Sequence, residues 1–149
     1  VVPNETLAEW LATLQAQRII VILDTSHSGS MDRNVRTFRI SEDERPKFPL
    51  LKDGFGEDLV KWPSLSARVA VLTACRPDQQ AQEVPALGHG VLTHYLLERL
   101  KGPADANKDG SITAQELHLY AAPEARRAYR QEPQMQDGIG QQVVLVEAR

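Results

Sequence analysis

The stretch Val21-Ile22-Leu23-Asp24-Thr25-Ser26-His27-Ser28-Gly29-Ser30 decides the reading of the fold. Its apolar opening belongs to the run 19–23, aliphatic and mostly β-branched, with no polar alternation, as in a strand covered on both faces. The run 69–73 has the same character. Together they predict neighbouring strands of a parallel sheet. The polar sequence Asp24-Thr25-Ser26-His27-Ser28-Gly29 then falls at the end of the first strand, a place where a nucleophile can sit.

Working outward, Thr6-Leu7-Ala8-Glu9 reads as a capping box, and Leu7, Trp10, Leu11 and Leu14 recur at helical spacing to about Gln17. A helix is expected from Gly90 to Lys101, burying Val91, Leu92, Tyr95, Leu96 and Leu100, and another from about Thr113 to Arg130. Val143 to Val146 reads as the last strand. From Ser30 to about Ser66 the chain is rich in charge and in Pro and Gly, with little periodicity, the pattern of a long functional loop.

The bulk properties narrow the function. A chain of 149 residues, 42% hydrophobic and 25% charged, suits one globular domain. The net charge of -3 and the scattered basic residues give no field for nucleic acid. The apolar runs are strand-sized, so no membrane span is expected, and Val1-Val2-Pro3-Asn4 does not have the layout of a signal peptide. The single Cys75 excludes an internal disulfide and fits a reducing, cytoplasmic compartment.

Asp24-Thr25-Ser26-His27-Ser28-Gly29 resembles the strand end of caspase-like cysteine peptidases, above all metacaspases and their bacterial relatives, the orthocaspases. The family pattern is Asp-x-Cys-His-Ser-Gly, and here Ser26 stands at the nucleophile position. Leu72-Thr73-Ala74-Cys75-Arg76-Pro77-Asp78-Gln79, followed by Gly88-His89-Gly90-Val91-Leu92-Thr93-His94-Tyr95, resembles the family's next strand end, its substrate-pocket loop and the helix after it. The resemblance implies an α/β caspase-hemoglobinase-like fold, mostly parallel sheet flanked by helices. It also implies cleavage after Arg or Lys, with Asp24 and Asp78 as the carboxylates that receive the basic side chain of a protein or peptide substrate. Two converging carboxylates suit the forked N–H donors of arginine. Each also has a local reading: Asp24 as a cap on the turn after the strand, Asp78 as the third residue of an Arg-Pro-Asp turn.

The same resemblance marks what the sequence does not contain. The family's general base is a His about fifty residues upstream of the nucleophile, whereas Ser26 has 25 residues before it. Residues 1–149 therefore read as the later portion of one caspase-like domain, whose missing upstream segment is an expected partner. A serine hydroxyl is a weaker nucleophile than an ionised thiol. With Ser26 in place and no base, the chain is expected to be catalytically inactive by itself. His27 reads as a loop-holding residue. Cys75 reads as a small buried hydrophobe. Gly88-His89-Gly90 lies too late in the motif order to be the base. In the 30–66 loop, Arg33, Arg36, Arg39, Arg45, Lys47, Lys52 and Lys61 offer basic sites for self-cleavage.

A separate motif spans 105–116. Asp105, Asn107 and Asp109 supply side-chain oxygens, Gly110 permits a sharp turn, Ser111 offers its carbonyl, and Glu116 can bind in bidentate fashion, which is the pattern of a calcium-binding EF-hand loop. The alternative is an Asp-Gly turn in which Thr113 caps the next helix and Glu116 completes a capping box. No cofactor is required for the peptidase chemistry itself. Two functions are thus expected from the sequence: part of a caspase-like cysteine endopeptidase, or a non-catalytic pseudopeptidase that serves as a scaffold for basic peptides or a partner domain.

Overall fold

The computed structural model describes residues 4–25, 60, 62, 64–76, 79–101, 105–140 and 142–147. Among them the chain is a mixed α/β structure with three α-helices and small sheets. The two apolar runs form strands β1 (Ile19–Leu23) and β2 (Val69–Thr73). They pair in parallel, with Ile19 opposite Val69 and Leu23 opposite Thr73. A third strand, β6 (Gln134–Asp137), runs antiparallel to β2 on its other side, so the sheet order is β1-β2-β6. The expected mostly parallel sheet is thus a mixed one.

Strand periodicity sends alternate side chains to opposite faces. On one face Ile20, Leu72 and Ala74 meet Leu92 and Leu96 of helix α2 (Val91–Arg99) and Leu117 and Ala121 of helix α3 (Ala114–Tyr129). On the other, Ile19, Val21, Leu23, Val69 and Val71 meet Leu7, Ala8 and Leu11 of helix α1 (Asn4–Thr13). Val69, Ala70 and Val71 are fully buried and Leu72 is 1% exposed, so β2 is the central strand and its Val and Leu side chains each contribute about 1.5–3 kcal/mol of burial. Ile22 of β1 is 45% exposed. The expectation of cover on both faces holds fully for β2 and only in part for β1.

Helix α1 differs from its expected bounds at both ends. It starts at Asn4, so Thr6 lies within the first turn and the capping box Thr6–Glu9 is not formed. It stops at Thr13, not Gln17, and the Arg68 guanidinium takes carbonyls at and beyond its end. Arg68 donates to Ala12 O (3.1 Å), Leu14 O (2.8 Å) and Ala16 O (2.8 Å). This fork also ties α1 to the turn before β2, where Nε donates to Ser64 O at 2.8 Å. Residues 30–59 of the expected long loop lie outside the described residues. Its last part is no loose connection: Leu65 is fully buried and packs with Val69 and Val71 under α1.

The other elements are small. Strands β3 (Glu83–Val84) and β4 (His89–Gly90) form a two-residue antiparallel pair around the 3-10 turn Pro85–Leu87. Strand β5 (Ser111–Thr113) pairs antiparallel with β7 (Val144–Glu147), which therefore joins β5 and not the main sheet. Among the described residues no helix is long and apolar enough to cross a membrane.

Candidate functional site

Asp24 follows the last residue of β1 and faces the start of α2. Gly90 is the N-cap of that helix and has no side chain with which to accept the exposed amides of the first turn. Asp24 supplies the acceptor from across the sheet. Its Oδ2 receives the Thr93 backbone N–H at 3.0 Å and the Thr93 hydroxyl at 2.6 Å. A carboxylate here also lies at the positive end of the helix dipole. The approach is close enough that a Cβ on Gly90 would sit 2.2 Å from Oδ2 and 2.6 Å from Cγ. The glycine is required by this contact, since its φ of -60° and ψ of 154° are open to any residue.

Only one oxygen of Asp24 is used in this way. Oδ1 is buried and has no hydrogen-bond partner among the described residues. A buried acceptor without a donor costs about 1–3 kcal/mol, and more when charged. The arrangement therefore holds a carboxylate by Oδ2 and leaves its enclosed Oδ1 without a donor among the described residues. The structure gives Asp24 a capping role on the later helix α2; the turn that follows β1, whose capping by Asp24 is the local expectation from the sequence, lies from Ser26 onward outside the described residues.

The loop after β2 is held by glutamine side chains. Gln131 is 1% exposed; its Nε2 donates to Ala74 O (2.9 Å) and its Oε1 accepts from Gln82 N (2.8 Å). One buried amide thus ties together the two ends of the segment that carries Asp78. Gln79 reinforces it: its Oε1 accepts from Arg76 N (3.3 Å) and Glu132 N (3.1 Å). Cys75 is 4% exposed with Sγ 3.3 Å from Gln79 O, in keeping with a packing role. Ser26, His27, Asp78 and the basic residues of the 30–66 loop lie outside the described residues, so of the predicted peptidase site only Asp24 is seen. Gly90, Thr93 and Gln131 were not anticipated.

The loop 105–116 is described throughout. Asp105 Oδ2 accepts from Gly110 N at 3.1 Å, Asn107 Oδ1 from Asp109 N at 2.9 Å, and Asp109 Oδ1 from Ser111 N at 2.8 Å. Lys108 and Gly110 adopt positive φ (59° and 86°), which coils the chain tightly between the donors. Thr113 and Glu116 form the reciprocal capping box of α3: Glu116 N donates to Thr113 Oγ1, and Thr113 N and Oγ1 donate to Glu116 Oε2. Those bonds, first the Thr113 backbone N–H and then its hydroxyl, hold the Glu116 carboxyl below its ordinary range against the opposing effect of burial. Smaller contributions come from the N–H groups of Asn107 and Ala106, which brings the end of the loop against its beginning. Among the described residues no three His, Cys, Asp or Glu side chains converge as a metal-holding group.

A cavity of 590 Å³ lies between the outer side of α3 and the segment before β6, lined by His118, Pro123, Arg126 and Glu132 among others. None of the predicted site residues lines it. No protein-family model matches the chain, and neither a curated protein nor a solved structure matches it.

Proposed function

We propose that this chain is the later portion of a caspase-like cysteine endopeptidase domain that takes Arg or Lys before the cut bond, with Ser26 at the position of the nucleophilic cysteine. The observation that supports this reading most is Asp24: a carboxylate fixed at the end of a sheet strand, two residues before Ser26, whose buried Oδ1 lacks a donor among the described residues. A guanidinium or ammonium group would satisfy it, with Asp78 as the second carboxylate. Helices on both faces of a sheet containing the parallel pair β1–β2 are in keeping with such a domain. The nearly buried, lone Cys75 agrees with a cytoplasmic setting.

In this reading the general base comes from the upstream segment of the same domain, and Ser26 leaves the attack without an ionisable thiol. The competing reading is a non-catalytic scaffold for basic peptides or a partner domain, and it rests on the same Asp24, whose Oδ2 serves as a structural cap. The two separate on one experiment. The domain with its upstream segment and Ser26→Cys is incubated alone and with an Arg-containing peptide, and products are identified by mass spectrometry. The peptidase reading expects peptide hydrolysis and a self-cut between residues 30 and 66 after a basic residue, favoured by the proximity of the loop to the nucleophile. Complete inactivity of the cysteine form leaves the scaffold.

A further inference from the structure

We propose that the loop Asp105–Glu116 binds one calcium ion, through side-chain oxygens of Asp105, Asn107, Asp109 and Glu116 and the carbonyl of Ser111, with β7 as its supporting strand.

The spacing provides the donors, and the structure adds an observation of a different kind. Asp105 gives Oδ2 to the Gly110 amide, yet its Oδ1 is buried with no hydrogen-bond partner among the described residues. Closing a loop does not require an enclosed carboxylate oxygen without a donor, and a cation would satisfy it. Glu116 at the other end is 7% exposed, so a second carboxylate is withdrawn from water beside the start of the loop. None of Asp105, Asp109 and Glu116 makes a salt bridge with a cationic side chain among the described residues.

The capping role of Glu116 does not compete with coordination. An ionised carboxylate has about four lone-pair sites; Thr113 donates to two of them on Oε2, and the amides of Asn107 and Ala106 add weaker contributions from within the loop. The donor set is wholly oxygen, mixed between carboxylate, amide and carbonyl, on a flexible turn. That suits calcium, which accepts six to eight oxygens in irregular geometry, better than magnesium, which requires a near-ideal octahedron. Support on the far side comes from Ile112, fully buried and paired with Val146, while Ser111 pairs with Glu147. An ion that fixes Ser111 therefore also fixes the pairing of β5 with β7.

The test uses calcium chloride with the whole chain, followed by isothermal titration calorimetry, thermal unfolding and amide hydrogen exchange. Calcium should give a saturable binding heat, raise the melting temperature by preferential binding to the folded state, and slow exchange in β5 and β7. Glu116→Gln keeps a capping-box side chain, and Asp105→Asn keeps an acceptor for Gly110, so both variants should fold. Each should weaken calcium binding at least tenfold and lose the thermal shift. Absence of binding heat and of a shift in millimolar calcium overturns the proposal. So does an equal shift in either variant, or an equal shift with magnesium in the unaltered chain.

Discussion

Replacing Gly90 by alanine tests the join between β1 and α2. The added Cβ would meet Asp24 Oδ2 at 2.2 Å, Cγ at 2.6 Å and Oδ1 at 2.7 Å, all inside any tolerable contact. Backbone strain does not enter, because the Gly90 dihedrals suit alanine. The carboxylate must move and lose its two bonds to Thr93. Hydrogen bonds to a charged group are worth about 1.5–3 kcal/mol each, so the loss is about 3–6 kcal/mol. Alanine recovers at most about 1 kcal/mol by stiffening the unfolded chain. The expected net destabilisation is therefore about 2–5 kcal/mol, read by urea unfolding with tryptophan fluorescence at unchanged m-value. Once Asp24→Ala has removed the obstructing atoms, Gly90→Ala should cost no further stability, and the double-mutant cycle should show strong coupling. A Gly90→Ala protein within about 1 kcal/mol of the original, or additive single effects, would refute the contact.

Gln131→Leu should cost about 1–3 kcal/mol by leaving the buried Ala74 O unpaired and the Gln82 amide without its side-chain acceptor; a loss under about 0.5 kcal/mol in chemical denaturation would show that the loop closes without it. Glu116 contributes a pH dependence whose sign follows from its lowered folded-state pKa. The contribution is fully present above the ordinary value of 4.5 and is lost as pH falls through the lowered folded value. Acid titration of stability should therefore be flatter in Glu116→Gln than in the unaltered chain, and identical profiles would count against the capping geometry.

The elements legible in the sequence are those in which local pattern and burial coincide. The runs 19–23 and 69–73 are uniformly apolar, and they form β1 and β2 with the expected bounds. Helices α2 and α3 also follow their periodicity, α3 with Thr113 and Arg130 as its caps. Strand β6 was not legible because Gln134-Met135-Gln136-Asp137 has neither β-branched residues nor a buried face; pairing with β2 makes it a strand. The short strands β3 and β4 pair with each other across the turn Pro85–Leu87 and are too brief to leave a pattern, while β5 is set by its distant partner β7. The carbonyls just beyond the end of α1 are taken by Arg68, more than 50 residues away in sequence. For the site, Asp24 was found through its motif, but its partner Thr93 was not, because a cap donated across 69 residues leaves no local pattern. Gly90 carried the available signal, as a glycine directly before a helix that needs neither a positive φ nor a turn. In the loop 105–116 both sequence readings share residues: the turn and capping box are formed, and the same side chains are the calcium donors proposed above.

The peptidase reading requires that Asp24 receive a basic side chain next to a nucleophile position. It is tested by the side-chain preference of the complete Ser26→Cys domain on a positional peptide library, with and without Asp24→Asn. Cleavage is expected after Arg and Lys. Because removing one partner of a buried charge pair costs about 2–5 kcal/mol, Asp24→Asn should lower kcat/KM for the Arg peptide by about thirtyfold or more while cleavage after neutral residues changes little. A preference for Asp before the cut bond, or an Arg preference undiminished in Asp24→Asn, would contradict it.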